Sequence, residues 1–234
     1  MSGPRTTGIS WPVVCLITDR QLTIGRELPD VVADAVAGGV TMVQLREKDL
    51  PTRDLIGLAA RVRQAVTPPA VFLVNGRADV AVAVGADGVH LPANGIPTDR
   101  VRRAVPRGMT IGRSVHTPTE VAAADPDSVA YLELGTVFPS RSHPGGVTIG
   151  LKGVHQAAQH GVPLLAVGGI TPESAAAVVK AGAAGVAVIS AILAAADPAL
   201  AAAEVTAAVQ EGWRSPERPQ CRITVAGPVR ADGA

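Results

Sequence analysis

The stretch Ile111-Gly112-Arg113-Ser114-Val115-His116-Thr117-Pro118-Thr119-Glu120 decides the fold. Its first half reads as the end of a buried strand. Its second half is a helix start: Thr117 as N-cap, Pro118 at the first helical position and Glu120 spaced to complete a capping box. His116 therefore falls where a strand stops and a helix begins. A neutral imidazole in that place can accept a proton and return it.

The same alternation recurs on both sides of this unit. Before it, Val13 to Thr18, Thr41 to Arg46, Val71 to Val74 and Asp87 to Leu91 read as short buried strands. Between and after them, Leu28 to Ala37, Pro51 to Val66, Asp79 to Val84 and Pro97 to Val105 have helical spacing. Beyond the opening unit come strands Ala130 to Leu134, Val162 to Val167 and Gly185 to Ile189. Helices are expected over Pro118 to Ala124, Leu151 to His160 and Pro172 to Ala181, and a closing helical region from Ser190 to Val209. Glycines at helix ends, in Gly38-Gly39-Val40, Gly85-Ala86-Asp87 and Gly182-Ala183-Ala184, give a faint internal echo. With Thr110 to Ser114 as the fifth strand, strands and helices alternate throughout. The fold class is α/β, a single (β/α)8 TIM barrel over residues 1–212. No GxGxxG follows the first strand, which disfavours an open dinucleotide-binding sheet. The segment 213–234, from Trp213, is rich in proline, arginine and glycine and is expected to be a flexible tail.

Composition narrows the function. The chain has 234 residues, 47% of them apolar and only 2% aromatic, with a formal net charge of +1. That suits one aliphatic core and offers no platform for phosphate-backbone binding or base stacking, so no nucleic-acid partner is expected. The N-terminus lacks an apolar signal segment and no run is long enough to span a bilayer, so no membrane partner and a cytoplasmic location are expected. A homo-oligomer is compatible with the sequence. Cys15 and Cys221 lack any CxxC spacing, and Cys15 reads as a small buried hydrophobe.

In such a barrel the site forms at the C-terminal strand ends. Those ends carry Asp19, Gln44, Arg46, Lys48, Asn75, Arg77, His90, Ser114, His116, Thr136, Gly168, Gly169, Ile189 and Ser190, a polar and cationic ring. Gln44, Arg46 and Lys48 alternate and should share one face of an extended strand. The plain alternative for the two cations is ion pairing with Glu47 or Asp49. Gly168-Gly169 before a capped helix, and Ile189-Ser190 after the last strand, match the phosphate cradle formed after strands seven and eight. His90 reads equally as a packed residue or a ligand, and His143, His155 and His160 as solvated side chains. No metal site is expected, because Asn75-Gly76-Arg77 and Leu91-Pro92-Ala93-Asn94-Gly95 hold no carboxylates where a magnesium diphosphate site would want them.

Val43-Gln44-Leu45-Arg46-Glu47-Lys48, Gly85 to Leu91, Gly168-Gly169-Ile170-Thr171 and Val188 to Ile192 resemble the thiamine phosphate synthase superfamily. That superfamily comprises the synthase and the TenI-type thiazole tautomerase. The resemblance spans Val13 to Val209 and implies a role in thiamine biosynthesis. The magnesium-holding aspartates of the synthase fall on Gly76 and Gly95. Its threonine- and lysine-bearing diphosphate loop is matched by Ser140-Arg141-Ser142-His143, without the lysine. The proton-transferring histidine of the tautomerase falls on His116.

The resemblance thus implies a cofactor-free isomerase. In its reaction, an exocyclic double bond in a carboxylated dihydrothiazole phosphate moves into the ring to give the thiazole carboxylate phosphate. His116 would move the proton. Gly168, Gly169 and Ser190 would hold the phosphate, with Arg46, Lys48 or Arg77 facing the remaining charge. Two alternatives remain. One is a thiamine phosphate synthase that uses magnesium, with Asp19, Asp87 or Glu133 helping to hold the metal. The other is a non-catalytic binder of phosphate ligands that regulates a partner.

Overall fold

The computed structural model describes residues 8–140 and 145–219. His143 and Cys221 lie outside them, as do Arg141 and Ser142. Eight parallel strands close into a barrel in chain order: β1 (Val13–Ile17), β2 (Met42–Leu45), β3 (Val71–Asn75), β4 (Gly88–Leu91), β5 (Thr110–Val115), β6 (Tyr131–Gly135), β7 (Leu164–Val167) and β8 (Gly185–Val188). The seam joins β1 to β8, with Val13 beside Gly185 and Leu16 beside Val188.

The period-two alternation of the strands sorts their side chains. Val13, Cys15 and Ile17 point into the barrel with Met42, Leu73, Tyr131 and Leu165. Val14, Leu16, Val43, Phe72 and Val74 face the surrounding helices. Inside, space is tight at one glycine: a Cβ on Gly112 would run into the ring of Tyr131.

The outer ring consists of α1 (Leu28–Ala37), α2 (Thr52–Ala65), α3 (Ala78–Ala83), α4 (Thr98–Ala104), α5 (Pro118–Ala122), α6 (Gly150–Ala158), α7 (Pro172–Lys180), α8 (Ser190–Leu193) and α9 (Pro198–Arg214). The single closing helical region expected from Ser190 is two helices. Asp197 separates them, capping α9 by accepting the N–H of Leu200 at 2.9 Å. α9 packs on α1 and α7 and so bridges the first and last units. It also runs through Trp213 and Arg214, where the sequence reading begins the tail, and the Arg218 guanidinium stacks 3.7 Å over the Trp213 ring. Asp87, expected to open the fourth strand, instead stands just before it and accepts the N–H of Phe72 at 2.8 Å. Among the described residues, no helix is long and apolar enough to cross a membrane.

Candidate active site

The strand-to-helix turns open on a cleft of about 1390 Å³ at the C-terminal end of the barrel. His116 stands exposed on its rim, one residue past β5. Thr117 caps α5 as expected, accepting the N–H of Glu120 at 3.1 Å. The second half of the capping box differs. Glu120 Oε2 accepts the N–H of His116 at 2.6 Å, one residue earlier than the box would have it. The turn that delivers the histidine is thereby pinned from both sides.

The imidazole is oriented by the neighbouring strand. Nδ1 lies 3.0 Å from the carbonyl oxygen of Gly135 at the end of β6. A carbonyl only accepts, so Nδ1 carries the hydrogen and Nε2 is the nitrogen left to exchange a proton with a ligand.

Across the cleft, Gly168 and Gly169 both take positive φ, +102° and +64°. A Cβ on Gly168 would meet Thr136, and one on Gly169 would meet Phe138 and the Pro139 carbonyl. Side chains are therefore excluded, and no carbonyl of the described residues takes the N–H of either glycine. Thr171 caps α7 in a capping box with Ser174, which sets the positive end of that helix behind the turn. Ile189 and Ser190 line the same side, Ser190 opening α8. Ser140, from the loop matched to the diphosphate segment, also lines the cleft.

Gln44, Arg46 and Lys48 all line the cleft, as their alternation predicts. The residue between the two cations turns away. Glu47 is buried and accepts from the Thr18 hydroxyl at 2.7 Å and the Arg20 guanidinium at 2.9 Å. Asp49 is likewise taken by Arg20. Neither acid pairs with Arg46 or Lys48, and among the described residues no other carboxylate does so. The Arg46 charge, and then partial burial, lower the Lys48 pKa.

Arg77 departs from expectation. It does not line the cleft: its guanidinium donates to Asp79 at 2.9 and 2.6 Å and to Thr52 at 3.1 Å. Two residues past the strand end, it is captured by the acid two positions further on. Asp19 also turns to local use, accepting the N–H of Gln21 as cap of a 3-10 turn.

Below the rim lies a polar chain that the strand-by-strand reading does not reveal. Asn75 Nδ2 donates to Gln44 Oε1 at 2.7 Å, and Gln44 Nε2 donates to Glu133 Oε2 at 2.9 Å. Gln44, expected to touch a ligand, thus has its amide held at both ends. His90 is fully buried, with Nδ1 3.0 Å from the Tyr131 hydroxyl and Nε2 2.8 Å from Ser114 Oγ. Of its two readings, the packed one holds. Burial lowers its pKa and keeps the ring neutral near pH 7, with Arg113 and Arg46 acting the same way against an opposing pull from Glu133. Ser114 lines the cleft on this histidine's behalf. Arg113 is a further cleft residue, pinning the loop after β4 through Ala93 O at 2.7 Å and Ile96 O at 3.3 Å.

The donor set does not fit a magnesium ion. Among the described residues, no three of His, Cys, Asp and Glu converge. Of the carboxylates along the cleft, Glu120 is engaged by the His116 amide, Asp125 by the Asp127 amide, and Glu133 by Gln44. The two positions matched to metal-holding aspartates are glycines, Gly76 and Gly95.

Comparison with known proteins places these features. Residues 14–192 match the family model described as thiamine monophosphate synthase. A protein of Methanoculleus marisnigri named thiamine-phosphate synthase is 42% identical over 192 residues, covering 80% of this chain and 90% of that one. Another of that name from Albidiferax ferrireducens is 45% identical over 193 residues, covering 80% and 87%. The solved structure of a thiamine phosphate pyrophosphorylase from Pyrococcus furiosus superposes with a TM-score of 0.78 at 35% identity, covering 86% of this chain and 96% of that one.

Proposed function

The chain belongs to the thiamine monophosphate synthase family, and from that membership we propose that it is an enzyme of thiamine biosynthesis acting as a thiazole tautomerase. The observation that carries this reading is the rim histidine. His116 has Nδ1 tied to the Gly135 carbonyl and Nε2 free to act, on a cleft whose opposite wall is a glycine turn with unclaimed amides.

The substrate is a carboxylated dihydrothiazole phosphate. Its phosphate is held by the amides of Gly168 and Gly169 and by the turn at Ile189 and Ser190, with Thr136 closing that wall. Its carboxylate faces Arg46 and Lys48, the cations left unpaired when Arg20 takes Glu47 and Asp49. His116 Nε2 removes the ring proton, the exocyclic double bond moves inward, and a proton is added at the exocyclic carbon. Positioned acid-base catalysis contributes roughly 10²- to 10⁴-fold, and aromatisation drives the reaction. No cofactor enters this scheme.

The printed names of the relatives favour a second reading, a synthase joining a pyrimidine diphosphate to thiazole phosphate. One experiment separates the two. Wild type and His116→Asn are mixed with the dihydro substrate and the aromatic product is followed by absorbance. In parallel, the synthase substrates are supplied with and without magnesium and diphosphate release is measured. Isomerisation lost in His116→Asn, with no diphosphate release, supports the tautomerase. Magnesium-dependent diphosphate release by wild type supports the synthase. Tight binding of thiazole phosphate with neither activity supports a regulatory binder.

A further inference from the structure

The proposed isomerisation moves protons at two carbons that stand at opposite ends of the conjugated path through the ring. A lone imidazole would have to serve both. The barrel register sets a second group within reach. Glu133 lies on β6 directly opposite Ser114 of β5. Two residues further along the same strands, His116 meets Gly135. Two steps of strand rise separate these layers by roughly 7 Å, a distance that a five-membered ring with its side arm can bridge.

Glu133 is buried, 6% exposed, yet lines the cleft. Oε2 is fixed by Gln44, which Asn75 orients in turn. Oε1 faces His90 Nε2 at 3.9 Å, beyond hydrogen-bond reach. No lysine or arginine of the described residues forms an ion pair with Glu133, although buried carboxylates are ordinarily paired. The groups that face it are His90 from β4, Cys15 from β1, Tyr131 from its own strand and Gln44 from β2. Burial pushes the Cys15 thiol and the Tyr131 phenol up and the His90 imidazole down, so these neighbours are uncharged. An uncompensated buried carboxyl on a cleft wall is a functional candidate.

Resting on the tautomerase reading, we propose that Glu133 is a second catalytic residue that delivers the proton to the exocyclic carbon while His116 removes the ring proton. The electron pair of the broken C–H bond becomes the new ring double bond. The exocyclic double bond supplies the pair that takes the carboxyl proton. The site is left with an imidazolium and a carboxylate, and exchange with water at the open rim restores both. Net change is isomerisation alone, with no oxidant, reductant or co-reactant.

The test is Glu133→Gln, which keeps an oxygen for Gln44 but has no proton of carboxyl acidity. Expected is a fall in kcat of about 100-fold, in the range of positioned acid-base catalysis, with affinity for the aromatic product unchanged. The decline of wild-type kcat at high pH, where the carboxyl loses its proton, disappears from the residual activity of the variant. Added formate restores turnover to Glu133→Ala. A second measurement needs no variant: substrate deuterated at the ring carbon is turned over in ordinary water. Transfer of label to the exocyclic carbon overturns the proposal, and its complete absence is the expected result. A Glu133→Gln enzyme with wild-type kcat overturns the role of Glu133 and leaves the tautomerase standing. A wild-type protein inert toward the dihydro substrate overturns both.

Discussion

The guanidinium of Arg20 grips Asp49 through two parallel hydrogen bonds of 2.6 Å each and reaches on to Glu47 at 2.9 Å. The pairing pushes the Asp49 carboxyl down to about 2. Glu47 is the partner that matters for stability, because it is buried. Removing the cation leaves that carboxylate with the Thr18 hydroxyl and the Arg20 amide alone. Arg20→Ala is expected to lower unfolding free energy by about 1–3 kcal/mol, the cost of an under-satisfied buried acceptor, read from the urea midpoint. Arg20→Lys is expected to restore only part of it, since an ammonium cannot make the paired contact.

The cations divide by orientation. Arg46→Ala and Lys48→Ala are each expected to weaken binding of thiazole carboxylate phosphate by about 10-fold or more, as for loss of a hydrogen bond to a charged group. Arg77→Ala is expected to leave it unchanged, because Asp79 and Thr52 hold that side chain outside the cleft. Calorimetric titration of the three variants checks both halves.

His90 couples stability to pH. Burial sets its folded pKa below the ordinary value of 6.5. As pH falls through about 6.5, the unfolded chain takes up a proton that the folded ring refuses, so its contribution favours unfolding increasingly until the lower folded value is reached. Each unit of that gap removes about 1.4 kcal/mol. The difference in Tm between pH 8 and pH 5.5 is therefore expected to be larger for wild type than for His90→Asn, as measured by calorimetry.

Gly169→Ala tests the anion wall. The added methyl would meet Phe138 and the Pro139 carbonyl from a backbone at φ +64°. Local strain of about 1–3 kcal/mol is expected. With it should come a loss of affinity for thiazole phosphate of the order of 10-fold, since a methyl now crowds the amides that face the anion. Thermal unfolding and a binding titration separate the two effects.

The fold was legible in the chain because each unit carries its own local evidence. An apolar run, a polar strand end and a capped helix start recur at every turn, and Thr117-Pro118 and Thr171-Pro172 cap helices as their chemistry dictates. The rim of the site was legible for the same reason: His116, Gly168, Gly169 and Ser190 stand at fixed offsets from strand ends. What escaped depends on closure. Glu133 sits inside an apolar strand, and its hydrogen bond to Gln44 spans 89 residues of sequence. No spacing rule connects the two, although a carboxylate amid Leu132 and Leu134 is itself a sign of something held inside the barrel. Arg77 was misplaced because two partners compete for it, an anion in the cleft and Asp79 two residues away, and the nearer one wins. Trp213 was assigned to the tail because its packing comes from Arg218 and not from helical periodicity.

The pairing of β1 with β8 sets a condition on how the chain is made. The outer edge of β1 finds its partner only after residue 185 has emerged, so a ribosome must release nearly the whole chain before this edge is covered. Until then two rows of unsatisfied backbone groups await each other across most of the polypeptide, and each could recruit a stranger instead. Crowded, rapid synthesis should therefore cost more folded protein than slow synthesis, even though the finished barrel has no open edge.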